Sequence, residues 1–366
     1  MSDDQLVVCL KSKMGELEAL KHLEQDFGNV TVMVELLDSV SDGGKLLFPR
    51  LVDAVKRSFQ LGKTLWIDTS RLTGNSPLSH HAGGPLQFVD SRLEDELIKE
   101  FGLYSTEMPP FTPVVPDAAS DDLLATVRSL ITHQHREVVV RLHEPTLSPE
   151  EQLRRLERIR RATRIETTHL HVVIDVGYLE HTTPELVTQV TTIASKISTA
   201  LAPRTVSVLA GSVPRSRVHF TTHLRERPEV TLWQDVCAQS RDVAVHYGDY
   251  GVAHPVPSLE TGSQPRPPYP YLSYTVPHRT IELRRKPKDP ADASDSSSAN
   301  DAFIDIAEEL TGREEFAGEH YSWGDQELIR CGTRRPGNGY GIASKWVALA
   351  TSHHIGHLAR RPAAER

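Results

Sequence analysis

Glu137-Val-Val-Val-Arg-Leu142, followed by Ser148-Pro-Glu-Glu-Gln-Leu-Arg-Arg-Leu-Glu-Arg-Ile159 and then His171-Val-Val-Ile-Asp-Val176, is the stretch from which the fold can be read. The outer two runs are β-branched and almost wholly apolar, as strands buried on both faces are. Between them Ser148 stands at an N-cap, Pro149 at the first helical position and Glu151 at the third, which is a capping box. Leu153, Leu156 and Ile159 share one stripe, with arginines between them on a solvated face. A strand, a helix with one apolar face and a second strand make a βαβ unit, whose strands lie parallel.

The same alternation extends both ways along the chain. The predicted strands are Leu6–Lys11, Val30–Leu36, Thr64–Asp68, Phe111–Val115, Glu137–Leu142, His171–Val176, Arg204–Ala210 and Val243–Tyr247. Thr183-Pro-Glu repeats the capping device before another helix. An open, doubly wound sheet gives the same alternation, but no GxGxxG or GxxxxGK[ST] loop follows the first strand. Eight successive units favour a closed (β/α)8 TIM-like barrel, and 366 residues accommodate it with a smaller, mainly helical C-terminal appendage.

The expected organisation is a barrel over residues 1–251, then a Pro-rich passage at 252–285. That passage holds a strand pair near Leu272–Thr275 and Thr280–Arg284. A polar linker at 286–300 follows, and a helical appendage at 301–366 includes helices over Asp301–Leu310 and Ser344–Ala359. The linker, with Asp-Ala-Ser-Asp-Ser-Ser-Ser, is too poor in bulky residues to form core.

Acidic residues outnumber basic ones 49 to 41, a formal charge of -8, which argues against generic nucleic-acid binding through the whole surface. Tyr269, Tyr271, Tyr274 and Trp233 supply aromatic material, but no basic stripe in the sequence organises it. Cys9, Cys237 and Cys331 stand far apart and read as isolated thiols of a reducing compartment. The apolar run Leu6–Leu10 is far too short for a signal or membrane segment, so a cytoplasmic protein with no membrane partner is expected.

Ligands of such barrels gather at the C-terminal ends of the strands. The polar residues there are Lys11 and Lys13, Glu35 and Asp38, Asp68 and Arg71, Arg141, His143 and Glu144, Asp175, Gly211-Ser212, and Asp249. Carboxylates hold hard cations and guanidinium groups clamp phosphate, so Glu35, Asp68 and Asp175 suit a divalent metal. On this reading Lys11, Asp175 and Asp249 are catalytic candidates, while Lys13, Arg71, Arg141, His143 and Ser212 are binding candidates. The same ring equally suits a set of structural ion pairs. His80-His81 lies in a Gly/Pro loop, where neighbouring side chains diverge. His353 and His357 share a helical face without the Glu of HExxH. No GxSxG elbow is present, and Cys9 sits within an apolar strand.

Several segments together resemble the Beta-protein family of bacterial and tailed-phage proteins. They are Lys11-Ser-Lys-Met-Gly-Glu-Leu-Glu-Ala-Leu20, Val172-Val-Ile-Asp175, Tyr247-Gly-Asp-Tyr250 with Pro255, and Ser273-Tyr-Thr275. Towards the C-terminus follow Phe316-Ala-Gly-Glu-His-Tyr-Ser-Trp-Gly-Asp325, Gly337-Asn338, Trp346 and His353-His-Ile355. Arg284 or Arg285 followed by Lys286 departs from the family's Arg-Gly, and the Ser-rich stretch beyond looks like an insertion. The resemblance marks Trp323, Asp325, His353 and His354 as a C-terminal motif. It also implies a recognition or regulatory role in phage–host conflict, with cleavage left to a nuclease-like partner. The alternative is a metal-assisted phosphoester hydrolase working at the barrel rim.

Overall fold

The computed structural model describes residues 5–38, 47–102, 108–143, 147–217, 219–240, 242–257, 269–286, 296–333 and 342–361. The Glu144 and Gly337-Asn338 positions, and most of the 286–300 linker, lie outside these residues. The chain opens with β1 (Leu6–Lys11), α1 (Met14–Lys21), β2 (Val30–Glu35), α2 (Phe48–Gln60), β3 (Trp66–Asp68) and α3 (Gly84–Phe101). It continues with β4 (Thr112–Pro116), α4 (Asp121–His133), β5 (Val138–Leu142), α5 (Pro149–Thr163), β6 (Leu170–Tyr178), α6 (Pro184–Leu201) and β7 (Thr205–Gly211). Then come β8 (His223–Glu226), α7 (Pro228–Gln239), β9 (Val245–Asp249), β10 (Tyr271–Val276), β11 (Arg279–Arg284), α8 (Ser296–Thr311), α9 (Trp323–Gly332) and α10 (Ala343–Ala359).

Strands β1 to β7 and β9 close into one parallel barrel in sequence order, β9 pairing with both β7 and β1. All eight are the predicted strands. The caps act as expected: Ser148 Oγ accepts from the N–H of Glu151 at 3.2 Å, and Thr183 Oγ1 from that of Leu186 at 3.3 Å. Alternate residues point inward, so Val7, Cys9, Met33, Trp66, Val114, Val139, Val173, Leu209 and Tyr250 fill the interior. The opposite set packs against the helices in the larger core.

One strand was not legible in the sequence. The β8 segment, His-Leu-Arg-Glu, pairs antiparallel with β11, which pairs with β10. Leu224 of β8 is exposed and its neighbours are charged, so no apolar alternation marks it. Helix α10 belongs to two cores at once. Ile355 and Leu358 join the barrel cluster, whereas Trp346, Leu349 and Ala350 pack with Tyr274, Ile281, Phe303 and Leu328. Glycines set the closeness of this packing: a Cβ on Gly15 of α1 would lie 2.6 Å from Ser344 O, and one on Gly324 of α9 would overlap Leu349 O. Helix α8 begins at Ser296, inside the stretch read as a polar linker.

Candidate functional site

The ends of β1, β2, β3, β5 and β6 direct Lys11, Glu35, Asp68, Arg141 and Asp175 into the top of the barrel interior, all of them buried. Side-chain period fixes this: each lies two residues beyond an inward apolar residue, Cys9, Met33, Trp66, Val139 and Val173. Arg141 is the centre. Its Nη1 donates to Asp68 Oδ2 at 2.6 Å and lies 2.8 Å from Glu35 Oε1. Its Nε and Nη2 both donate to Asp175 Oδ2, at 3.0 and 2.9 Å, and Nη2 also donates to the Tyr250 hydroxyl at 2.7 Å. The Tyr250 hydroxyl in turn donates to Asp175 Oδ1, also at 2.7 Å.

The electrostatics follow from this arrangement. Burial by itself would discharge Arg141, but Asp175, Tyr250 and Glu35 hold it charged, well above the ordinary arginine value. Burial works to raise the Asp68 carboxyl. Arg141 and the Ser70 hydrogen bonds outweigh it, and Asp68 stays below the ordinary carboxylate range. Tyr250 is pushed far up by burial and by Asp175, which keeps its hydroxyl a donor. Asp175 is held by the chain as well. A bulge in β6, with Gly177 at φ 73°, brings the Gly177 N–H to Asp175 Oδ1 at 2.9 Å.

Two atoms of this layer keep unused capacity. Lys11 Nζ lies 3.8 Å from Glu35 Oε2 and 5.1 Å from the centroid of Tyr250, and neither Nζ nor Oε2 makes a hydrogen bond among the described residues. Glu16, on the first turn of α1, feels the charges of Lys11 and Lys13, yet burial raises its carboxyl. Glu16 and Tyr250 stand within motifs of the sequence that mark neither residue for a role. Their signal would have been the strand-end position of Tyr250 and the first-turn position of Glu16.

The other candidates separate into groups. Arg71 reaches the layer, its Nε 3.4 Å from Glu35 Oε1, and is partly exposed. Lys13 caps α1 and is likewise partly exposed. His143 instead faces Asp117 at 3.8 Å, and Asp117 pairs with Arg155 at 2.5 Å. Ser212 bonds Arg225 beside a cleft of about 620 Å³. Asp38 accepts from the N–H of Thr73. His80 lies exposed against Gly74 O.

Asp249 does not join Lys11 and Asp175. Tyr250 next to it points inward, so Asp249 faces out, where His354 Nε2 donates to Oδ1 at 2.9 Å and Tyr247 and Arg227 donate to Oδ2 at 2.8 and 3.2 Å. His354 continues to Thr275 Oγ1 at 2.8 Å, and His353 bridges Asp325 to Thr275 O at 2.9 and 2.8 Å. Trp323 stacks on His22 with ring centroids 3.9 Å apart. The C-terminal motif thus fastens α10 to the barrel and to β10. The metal assignment of Glu35, Asp68 and Asp175 meets a different arrangement, because the Arg141 guanidinium lies among their oxygens. Among the described residues no group of three or more His, Cys, Asp or Glu is disposed to hold a metal ion.

A family model described as "Beta protein" matches residues 7–360. The chain belongs to the Beta protein family. The matched residues span the barrel strands, the buried layer and the motif on α10. No curated protein matches the sequence. Among solved structures, the hyperthermostable endo-1,4-beta-D-mannanase of Thermotoga petrophila is similar at 10% identity and a TM-score of 0.38. That likeness covers 68% of this chain and 88% of that one. The spore cortex-lytic enzyme SleL of Bacillus megaterium is similar at 9% identity and a TM-score of 0.32, over 95% and 74% of the two chains. These likenesses carry nothing about the chemistry of this family member. No helix among the described residues is long and apolar enough to cross a membrane.

Proposed function

We propose that this protein is a recognition component whose barrel top binds a small anionic molecule, a phosphate ester or a carboxylate. The observation that carries the proposal is the buried Lys11 ammonium, which makes no hydrogen bond among the described residues and sits beside an equally unused Glu35 oxygen. A buried ammonium with free donors is costly unless something accepts from it. Charge agrees. Lys11, Lys13, Arg71 and Arg141 bring four cations to the layer of Glu35, Asp68 and Asp175, and burial raises the Glu16 carboxyl beside it. A ligand anion answers the Lys11 ammonium and a ligand hydroxyl answers Glu35.

The three carboxylates already serve Arg141, which favours recognition over metal-assisted hydrolysis. In the phage–host setting that the resemblance implies, ligand binding would be signalled to a nuclease-like partner. One observation favours a second reading, metal-free hydrolysis of a phosphoester: burial raises the Glu16 carboxyl above its ordinary value within the field of Lys11, the direction that suits a group protonating a leaving oxygen.

The test is thermal stability of wild type and Lys11→Met against inorganic phosphate, phosphate esters, carboxylates and neutral sugars. A ligand at about a hundredfold its Kd stabilises by roughly 2.7 kcal/mol. An anion-specific rise in wild type that Lys11→Met abolishes is the expected result. A rise that persists in the variant, or none in either protein, overturns it. Turnover of a phosphoester that Glu16→Gln removes would select the second reading.

A further inference from the structure

The segment between β7 and β8 and the end of β11 bring together a group of residues that the barrel-top site does not use. Arg217 lies over the Tyr271 ring at 4.2 Å, and Arg284 lies over Phe220 at 4.2 Å and Tyr269 at 5.3 Å. Lys286 stands 4.8 Å from the Phe220 centroid, and Phe220 meets Tyr269 edge-on at 4.9 Å. Tyr269 is 37% exposed, Lys286 is exposed, and Phe220, Tyr271, Arg217 and Arg284 are half-buried.

Two neighbouring cations are paired with carboxylates. Arg225 holds Glu282 at 2.7 Å, and Arg285 holds Glu309. Arg217, Arg284 and Lys286 have no carboxylate partner among the described residues, and Arg217 Nε makes no hydrogen bond there. Burial and the adjacent Arg217 charge both push Arg284 below the ordinary arginine value. In a chain of formal charge -8, three cations on one aromatic surface with no carboxylate partner among the described residues are a local exception.

We infer that Arg217, Arg284 and Lys286, with the rings of Phe220, Tyr269 and Tyr271, form a binding surface for single-stranded nucleic acid. Phosphates answer these cations, and bases stack on the rings and guanidinium planes, which is how single strands are held without sequence readout. An acidic polypeptide would satisfy the cations but leave the rings without a role. Duplex offers phosphates but hides the base faces. The loop that carries Arg217 and Phe220 leaves the C-terminal end of β7, so the surface adjoins the end of the barrel that holds the buried layer.

The experiment measures anisotropy of a labelled oligothymidylate with the full chain across a salt series, for wild type, Arg217→Ala with Arg284→Ala, Lys286→Ala and Tyr269→Ala. Each phosphate contact contributes about -0.7 to the slope of log K against log salt, so three predict about -2 for wild type. The double variant falls to about -0.7, and Lys286→Ala, at an exposed position, to about -1.4. Tyr269→Ala weakens binding ~5-fold or more with the slope unchanged. No binding by wild type, or an unchanged slope in folded Lys286→Ala, overturns the inference. So does displacement by polyglutamate as effective as by unlabelled strand, together with no effect of Tyr269→Ala.

Discussion

Replacing Arg141 by Met keeps most of the volume and removes the cation that three buried carboxylates share. Losing one partner of a buried pair costs ~3–5 kcal/mol, because the remaining charge is left unpaired. Here the remaining charges are Asp68, Asp175 and Glu35, at 2.6, 2.9 and 2.8 Å from the guanidinium. Protonation of Asp68, whose carboxyl burial works to raise, limits the loss to about that range. Unfolding entropy of about 2.1 cal/mol/K per residue over 366 residues is roughly 0.8 kcal/mol/K, so the expected fall in Tm is ~4–6 °C. The pH dependence separates this cause from lost packing. In wild type the depressed Asp68 carboxyl contributes stability above its unfolded value, about 3.9, and loses it only in stronger acid. Without Arg141, burial raises the Asp68 carboxyl, the folded state binds more protons than the unfolded chain, and the deficit shrinks as pH falls from about 7 to 5. The assay is thermal unfolding followed by far-UV circular dichroism at a series of pH values. A loss under about 1 °C, or a deficit that stays constant with pH, would refute the reasoning.

Other outcomes are expected on the same grounds. Gly324→Ala drives a methyl into the backbone of α10 at Leu349, which cannot rotate away, and should cost ~3 kcal/mol in urea unfolding; a neutral result would mean that α9 and α10 slide apart freely. Asp325→Ala removes the acceptor shared by Tyr274 and His353 and should expose α10 to limited proteolysis at a denaturant concentration that leaves wild type intact. Burial works against the Asp249 carboxyl, but His354, Arg227 and the Gly251 N–H hold it far below the usual range. Its contribution to the urea midpoint should therefore be whole above about pH 4 and lost only in stronger acid in wild type, and be smaller at neutral pH with a shallower acid loss in His354→Gln; equal acid losses in the two proteins would contradict this. Burial raises the thiols of Cys9 and Cys331, so iodoacetamide at about pH 8 should label half-buried Cys237 first, with Cys9 and Cys331 reacting only on unfolding; early labelling of Cys9 would contradict its place in the barrel interior.

The buried layer was partly legible before any coordinates. Glu35, Asp68, Arg141 and Asp175 each end an apolar run, and period two sends them inward. Their mutual arrangement was not legible, because Arg141 stands 34 residues from Asp175, 73 from Asp68 and 109 from Tyr250 in sequence. Asp249 shows how narrow the margin is. The strand ends at Asp249 and not at Tyr247, and one step along it separates the outward Asp249 from the inward Tyr250.

Local periodicity and end-capping chemistry determined by themselves the eight strands, their order and the helices between them, since each signal lies within a single turn or strand. Only the tertiary structure decided which charges share a space. Barrel closure placed Arg141 among three carboxylates, antiparallel pairing with β11 recruited the polar β8, and two cores competed for α10. The meeting of Arg217 with Arg284 and Lys286 belongs to the same class. Such contacts join residues far apart in the chain, and a pattern with a period of two or 3.6 residues carries no record of them.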